Sequence, residues 1–382
     1  MGADGVMPER RSNGGPSLLD RAYDWHDRLV ANPRFQAFAQ TFWLTRPIAR
    51  RRAKELFDLA GGFIHSQVLL ACVRLRLLDM VRAEPLPAEI LCARAGLPPE
   101  AGRRLLEAAV GLRLLRRRGG ALGLGTLGAA LLGNPAALAM IEHHPLLYDD
   151  LADPVAAFSR GRGGGSLARY WGYAEAATPG ELPEARTGPY TELMAASQPL
   201  VARQVLDAYP LGRHRTLLDV GGGGGAFLAA VRERAPQLGL MLFDLPAVAA
   251  KARAVLPEAG AGAVAIHEGD FTRDPLPRGA DVISLVRIAH DHDDAVVLGL
   301  LRAIRAALPE DGTLLLAEPM AGTPGLGTLD AYFAVYLHAL GTGRLRSAAE
   351  LTDLLAQAGF GPVRRVRTAM PLLTGLLVAT AH

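Results

Sequence analysis

The sequence is poor in cysteine and lysine. Cys72 and Cys92 are the only cysteines among 382 residues, and both lie in apolar, helix-like contexts. Two such residues make neither a disulfide framework nor a zinc site, so a reducing compartment, the cytoplasm, is expected. Lysine occurs only as Lys54 and Lys251, and all other basic residues are arginine. We attribute this bias to genomic base composition rather than to function.

A strong charge of one sign is also absent. The chain has 41 basic and 38 acidic residues, a formal net charge of +3, which argues against a dedicated nucleic-acid binder. Residues 119–141 carry no charge and are long enough to span a bilayer. Their glycines, with Asn134 and Pro135, favour a hairpin followed by a short helix. Residues 1–17 lack the apolar core of a signal peptide.

The length predicts two domains, and a hydrophobic content of 50% is ample for a sizeable core. The changes in pattern along the chain divide it into four parts. We predict a disordered tail over residues 1–17, a helical, winged-helix dimerisation domain over 18–160, a linker with connecting helices over 161–212, and a cofactor-binding catalytic domain over 213–382.

Residues 87–125 have the outline of a winged helix-turn-helix. PAEILCARAG and EAGRRLLEAAVGLRLL read as two helices separated by a turn, and GGALGLGTLG reads as a glycine-rich hairpin. Such a unit binds DNA or mediates dimerisation, and Arg103 and Arg104 would be the DNA contacts. Because the chain also carries a complete cofactor domain, dimerisation is the favoured interpretation.

Residues 46–59 combine a basic start with apolar residues. The segment could form an amphipathic helix at a membrane surface. An ordinary solvated helix is the favoured interpretation.

From residue 213 onward, short β-like runs alternate with helical stretches. The runs are RTLLDV, LMLFDL, AVAIHEGD, ADVISLVR and GTLLLAEP, and the final FGPVRRVRTAMPLLTGLLVATA reads as two more strands. This alternation predicts an α/β fold with a mainly parallel, seven-stranded sheet. The terminal hairpin suits a methyltransferase sheet better than a dinucleotide-binding fold. On the preceding helix, Met194 and Ser197 are expected to face this domain.

The stretch LLDVGGGGGAFLAAV, residues 217–231, places a glycine turn between a strand and a helix. Gly221, Gly223 and Ala226 fit the G-x-G-x-x-G/A spacing of dinucleotide folds, and Asp244 is the acidic residue expected further on. S-adenosylmethionine (SAM) enzymes also use a glycine turn and a ribose-binding carboxylate. The turn alone leaves both cofactors open.

Ligands of open α/β sheets bind at the carboxyl ends of the strands. The Asp244 carboxylate can accept hydrogen bonds from a ribose diol, and an acidic and an aromatic residue on the next strand can meet an adenine. The polar or aromatic residues at these ends are Asp219, Asp244, Asp270 with Phe271, Arg287, His290 and Glu318.

His290, in RIAHDHDDAVVLGLL, has three interpretations. It could be a general base, a metal ligand with His292, Asp293 and Asp294, or part of a helix cap. We favour the base, assign the neighbouring Asp residues to capping and solvent, and predict no metal. The helix that follows presents Val297, Leu300, Leu301, Ile304 and Leu308 on one face.

The motifs DVGGGGGAF, FDLP, HEGDF, RIAHDHDD, LLLAEP and LLAQAGF, in this order, resemble those of SAM-dependent O-methyltransferases with a winged-helix dimerisation domain. The resemblance extends from about residue 20 to the end. The stretch YDWHDRLVANPRFQAFAQTFWLTRPIARRRAKELFDLAGGF is similar to the bacterial 1-hydroxycarotenoid O-methyltransferases within that family.

The resemblance implies roles for the matching residues. His290 would be the base, and Glu318 would orient it. Leu345 stands about where plant relatives carry a second orienting glutamate. Arg287 stands near the cofactor, where the family often has lysine. The implied cofactor-binding residues are Asp219, Gly221, Gly223, Asp244, Asp270, Phe271 and Arg287.

The implied reaction is methyl transfer from SAM to the C-1 hydroxyl of an acyclic hydroxycarotenoid, as in the carotenoid biosynthesis of photosynthetic bacteria. The expected protein is a cytoplasmic homodimer with an apolar substrate and no nucleic-acid partner, with peripheral contact to the photosynthetic membrane left open. Two alternatives share these motifs: an O-methyltransferase of a phenolic polyketide or small aromatic, and a SAM-sensing, DNA-binding regulator.

Overall fold

The structure is a computed structural model that describes residues 17–171, 184–257, 260 and 262–382. The predicted tail therefore lies, except for Ser17, outside the described residues, as does the centre of the predicted linker. The chain divides into two compact units, residues 1–71 and 72–382.

The first unit is helical, as the sequence pattern predicts. Ser17 caps the first helix with its hydroxyl, and Asn32 caps the second. The helices are α1 (Leu18–Ala31), α2 (Pro33–Thr41), α3 (Arg46–Ala60) and α4 (Gly62–Arg74), the last of which runs into the second unit.

The second unit begins with short helices and a small hairpin. The helices are α5 (Leu77–Met80), α6 (Ala88–Arg94), α7 (Pro99–Gly111), α8 (Thr126–Leu132), α9 (Pro135–His143), α10 (Pro145–Asp150), α11 (Pro154–Ser159) and α12 (Ser166–Tyr170). The hairpin pairs β1 (Leu115–Arg118) with β2 (Ala121–Leu124). Helices α6 and α7 with this hairpin match the predicted winged-helix outline.

The hairpin lies earlier in the chain than the sequence pattern predicts. Helix α7 ends at Gly111, and Arg113 adopts a left-handed backbone with φ 59°. The arginine-rich β1 therefore forms the first strand, although it reads as the end of a helix. Uncharged residues 125–141 form the separate helices α8 and α9.

The larger part of the second unit is an α/β domain. Its helices are α13 (Glu184–Ala208), α14 (Ala226–Arg234), α15 (Pro246–Val255), α16 (Asp294–Ala307), α17 (Gly327–Leu340) and α18 (Ala348–Gln357). Its sheet contains β3 (Thr216–Val220), β4 (Gly239–Asp244), β5 (Val264–Glu268), β6 (Val282–Val286), β7 (Thr313–Glu318), β10 (Phe360–Val366) and β11 (Gly375–Ala381). A separate two-residue pair joins β8 (Met320–Ala321) to β9 (Arg346–Ser347).

The sheet has the order β10-β11-β7-β6-β3-β4-β5. Strands β5, β4, β3, β6 and β7 are parallel, and β11 and β10 are antiparallel. The predicted seven strands and terminal hairpin are confirmed. From β3, the chain adds β4 and β5 on one side and then β6 and β7 on the other. The carboxyl ends of β3 and β6 therefore flank the crevice where ligands of such folds bind.

Apolar side chains cover both faces of the sheet. The predicted face of α16, including Val297, Leu301 and Ile304, is buried in one cluster. Val201, Val205 and Leu206 of α13 are buried in a second cluster against β3 and β4. The central strands β3, β4, β6 and β7 are therefore apolar on both faces, and their polar residues concentrate at their ends.

Within the described chain, no single helix is both long and apolar enough to cross a membrane. Helices α3 and α4 pass that test only as a pair, which is bent by 56°.

Candidate active site

The glycine turn links β3 to α14 through three left-handed glycines. Gly221, Gly223 and Gly225 have φ of 69°, 59° and 82°. A Cβ on Gly221 would lie 2.6 Å from Ile288 Cδ1, whereas one on Gly224 would meet no heavy atom within 4 Å. The turn is therefore packed against the protein at Gly221 and open at Gly224.

Asp219 lies beneath this turn. Its side chain is buried, its Oδ1 accepts a 2.6 Å hydrogen bond from Ser284 Oγ, and its Oδ2 has no hydrogen-bond partner among the described residues. A Cβ on Gly222 would lie only 2.5 Å from that oxygen. Burial raises the pKa of Asp219 to about 7, against the lowering effect of the Ser284 hydrogen bond.

Asp244, at the end of β4, is held by the backbone on both sides. Gly223 N donates to Oδ2 at 2.7 Å, and Leu245 N donates to Oδ1 at 2.8 Å. Burial raises the pKa of Asp244 to about 6, while these two hydrogen bonds lower it. The turn thus positions the carboxylate, whose remaining lone pairs can accept hydroxyl donors.

Asp270 and Phe271 follow β5. Asp270 Oδ1 accepts from Thr272 N at 2.9 Å and from Thr272 Oγ1 at 2.6 Å. The Phe271 ring stands edge-on to His292, with centroids 5.4 Å apart and planes at 89°. Asp270 therefore fixes the turn that carries Phe271.

Arg287 follows β6 in a left-handed conformation with φ 60°. Its Nη1 donates to Ser197 Oγ at 2.5 Å, and its Nη2 lies 3.0 Å from Met194 Sδ. The prediction that Met194 and Ser197 face the α/β domain is confirmed. The guanidinium is engaged with α13, a contact that sequence reasoning did not identify.

His290 and Glu318 are brought together at the ends of β6 and β7. Glu318 Oε2 lies 2.6 Å from His290 Nδ1, and Oε1 accepts the amides of Ile288 and Ala289 at 2.8 and 2.7 Å. Both side chains are buried. A carboxylate at Nδ1 keeps the proton on that nitrogen, so Nε2 of the neutral ring is an acceptor.

A second carboxylate faces the other ring nitrogen. Asp291 Oδ1 lies 3.2 Å from His290 Nε2, and the Asp291 side chain is only 13% exposed. The assignment of the neighbouring acidic residues to capping and solvent is therefore wrong for Asp291. Asp293 does precede α16 as its N-cap residue, but it makes no side-chain cap hydrogen bond.

These charges control the titration of His290. Burial lowers the pKa of His290, but the negative charges of Asp291 and Glu318 outweigh burial and the opposing charge of Arg287, so the pKa is raised overall. The ring is thus a stronger base than an ordinary histidine. Within the described residues, no group of three or more His, Cys, Asp or Glu side chains has an arrangement suited to a metal ion.

The loop that carries His290 is held by a buried arginine that the sequence analysis missed. Arg346 is 2% exposed, and its guanidinium donates at 2.7 Å to the carbonyls of both Ala289 and His292. It also donates to Asp294 Oδ1 at 2.8 Å. The local sequence, GTGRLRSAAE, gave no signal that separates Arg346 from its neighbour Arg344.

An aromatic wall on α17 lies beside His290. The Phe333 ring is edge-on to the His290 ring with centroids 5.8 Å apart, and Tyr332 stacks on Tyr336 at 5.7 Å. His143 Nε2 lies 2.8 Å from the Tyr336 hydroxyl, which also accepts from Trp171 Nε1 at 3.2 Å. The sequence DAYFAVYLHAL could have predicted the pairing of Tyr332 with Tyr336, since residues four apart share a helix face.

Two domain families match the chain. An O-methyltransferase domain matches residues 148–361, and an O-methyltransferase dimerisation domain matches residues 57–132. The chain therefore belongs to the O-methyltransferases that carry their own dimerisation domain, and it is an enzyme of that class.

Individual relatives agree with this membership. The chain is 46% identical to demethylspheroidene O-methyltransferase of Cereibacter sphaeroides, over 92% of this chain and 93% of that protein. It is 40% identical to the protein of the same name from Rhodobacter capsulatus, over 92% and 88%. Among solved structures, the calicheamicin-biosynthesis methyltransferase CalO1 in its SAH-bound form is 28% identical, with a TM-score of 0.70 over 87% of this chain and 98% of that chain.

Proposed function

We propose that the protein transfers a methyl group from SAM to the C-1 hydroxyl of an acyclic hydroxycarotenoid, giving a methoxycarotenoid and S-adenosylhomocysteine. The observation that carries the methyl-transfer chemistry is His290, whose Nδ1 lies 2.6 Å from Glu318 Oε2, on the loop whose Ile288 packs against Gly221 of the glycine turn. The acceptor rests on the two relatives, both named demethylspheroidene O-methyltransferase, that align with 92% of the chain.

The residues at the crevice fit SAM. Gly224 faces open space, the half-buried carboxylate of Asp244 adjoins the turn, and Asp219 places a second acidic group beneath it. We assign Asp219, Gly221 and Gly223 to the cofactor loop, Asp244 to the ribose hydroxyls, and Asp270 with Phe271 to the adenine. Arg287 braces this region through α13.

When bound, SAM supplies a methyl group made electrophilic by its sulfonium. With Asp219, Gly221, Gly223 and Asp244 holding SAM, the acceptor oxygen would bond to that methyl carbon as the carbon–sulfur bond breaks. A tertiary C-1 hydroxyl is weakly acidic, so it is not ionised beforehand. His290 Nε2 instead takes the proton as the new bond forms, a contribution of about 10²–10⁴-fold.

The two carboxylates stabilise the imidazolium that results. Glu318 fixes the ring through Nδ1, and Asp291 accepts from Nε2 once that atom is protonated. Since both reactants must be held in line, positioning removes a further several kcal/mol of the barrier, about 7–11 in the best intramolecular cases. The half-buried ring of Phe333, which stands against His290, and the adjoining ring of Tyr332 offer an apolar surface for the polyene beside the base, and the buried Tyr336 supports Tyr332 from behind.

We further propose a cytoplasmic homodimer without a nucleic-acid partner. The matched dimerisation domain supports the dimer. Arg104, one of the two arginines considered for DNA, donates to Glu100 on its own helix at 2.7 Å. Because a carotenoid acceptor resides in a lipid phase, the proposal includes peripheral contact with a membrane.

Methyl transfer from labelled SAM tests the acceptor. A 1-hydroxycarotenoid in detergent is offered in parallel with a panel of phenols. Product on the carotenoid alone is the expected result. Product on a phenol alone would leave the O-methyltransferase membership intact and overturn the proposed acceptor.

A further inference from the structure

We propose that residues 28–54 dock the protein on an anionic lipid bilayer, with an aromatic strip that inserts between the lipids and arginines that bind their headgroups. The inference deepens the proposed function, since it names the surface through which the enzyme meets its lipid-soluble acceptor.

The first observation is charge. Residues 28–54 contain seven basic residues and no acidic one, in a chain whose net charge is only +3. Arg51 pairs with Glu55, and Lys54 pairs with Asp58, so both pairs use carboxylates from beyond the segment. The other basic residues, Arg28, Arg34, Arg46, Arg50 and Arg52, form no ion pair with any described residue. Such a cluster attracts a negatively charged surface.

The second observation is an exposed aromatic strip within the same segment. Phe35, Phe38, Phe42 and Trp43 follow one another with ring centroids 6.5, 5.0 and 6.3 Å apart. Phe38 is 52% exposed and Trp43 is 73% exposed. Leu44 and Ile48 extend the strip and are 56% and 58% exposed. Aromatic residues with neighbouring arginines are typical of segments that lie in a membrane interface.

Helix α3 extends the basic cluster. Arg46, Arg50 and Lys54 follow one another at four-residue spacing along one side. On another side, Arg52 stands between Ile48 and Leu56 at the same four-residue spacing. Within the described structure, α3 buries no residue, so its basic and apolar side chains are accessible to a surface.

The charges and residue types of this segment favour a lipid bilayer over a second copy of the chain or a nucleic acid as its partner. A second copy of the chain would oppose seven like charges with seven more, and the matched dimerisation domain begins only at residue 57. A nucleic acid would satisfy the arginines, but the aliphatic Leu44 and Ile48 gain nothing from base stacking. Of these three partners, only a bilayer offers anionic headgroups to the arginines and hydrocarbon to the exposed apolar side chains.

Flotation of the full-length protein with vesicles tests the proposal. We compare vesicles of phosphatidylcholine alone with vesicles that contain about 30% phosphatidylglycerol. The expected result is binding to the anionic vesicles that weakens as salt is raised, because exposed charges are screened. Flotation that is equal on both vesicles, or absent from both, would overturn the proposal.

Two matched pairs of variants locate the surface. Replacement of Arg50, Arg51 and Arg52 by serine should weaken binding about a hundredfold at low salt. The same replacement of Arg116, Arg117 and Arg118, which lie exposed on β1, should leave it unchanged. Trp43→Ser should weaken binding about tenfold, whereas Val155→Ser, at a site that is 75% exposed, should not.

Three further readouts separate this proposal from its competitors. A switch from dimer to monomer in Trp43→Ser would assign the strip to a subunit interface and overturn the proposal. Loss of duplex-DNA binding in the Arg50–Arg52 variant, with vesicle binding unchanged, would do the same. Activity on a detergent-solubilised acceptor should survive in that variant while activity on a vesicle-embedded acceptor falls. If the wild type methylates neither form but still binds vesicles, the acceptor proposal fails and the docking proposal stands.

Discussion

Glu318 binds His290 and also the backbone that carries it. One carboxylate oxygen lies 2.6 Å from Nδ1, and the other accepts the amides of Ile288 and Ala289. A single side chain at the end of β7 therefore sets the position of the loop and the tautomer of the ring. Strand pairing between β6 and β7 fixes the distance between the two residues, because both strands end at the same edge.

Glu318→Gln should lower kcat about 10²-fold while the Kd for SAM stays unchanged. The amide oxygen can still accept the two backbone amides, but its NH₂ group would face Nδ1 and place the ring proton on Nε2. The base is then blocked. Glu310→Gln, at an exposed carboxylate, is the control. Labelled-methyl kinetics with calorimetry of SAM binding measures both quantities, and an unchanged kcat would exclude this role.

The rate should rise with pH through the raised pKa of His290. The neutral ring is the active form, and it is depleted below a midpoint that lies above the ordinary histidine value of about 6.5. Asp291→Asn removes one of the two charges that favour the imidazolium, so the midpoint should move to lower pH. Asp293→Asn, whose side chain does not contact the ring, should leave it in place. A midpoint that moves upward in Asp291→Asn would contradict the assignment.

Gly221→Ala should destabilise the fold by about 2 kcal/mol and weaken SAM binding. The positive φ and the close approach to Ile288 both penalise a side chain there. Gly224→Ala adds its methyl group to open space and should leave the urea midpoint unchanged. Equal urea midpoints for the two variants would show that Gly221 tolerates a side chain.

The sequence predicts the centre of the sheet well because β3, β4, β6 and β7 are short, mainly apolar runs with polar groups at or just after their ends. It also identifies Asp219, Asp244 and Glu318, which lie at strand ends, and His290, which follows the end of β6 by four residues. The roles assigned to these residues stay predictions. Their grouping follows from parallel pairing, which places all the carboxyl ends at one edge.

The residues that were missed depend on contacts between distant parts of the chain. Arg346 reaches the carbonyls on either side of the His290–Asp291 pair only because β9 pairs with β8 just after β7. Asp291 resembles a cap in the sequence, but the tight turn at 289–291 aims its side chain back at the ring. The spacing of residues along the sequence predicts neither the contacts of Arg346 nor the direction of the Asp291 side chain.

Arg346→Lys should lower kcat about tenfold or more with a smaller effect on stability than Arg346→Met. A lysine keeps the charge, but its single nitrogen cannot reproduce the guanidinium fork, whose separate nitrogens donate to the carbonyls of Ala289 and His292, so the His290 loop is held less firmly. A methionine leaves those buried carbonyls without their donor, and should reduce the free energy of unfolding by about 3 kcal/mol. Arg344→Lys, at a half-exposed arginine that also binds Asp294, serves as the control. Parallel urea titrations and kcat measurements decide the matter: if both Arg346 variants lose stability but keep wild-type kcat, the arginine supports the fold and does not position the base.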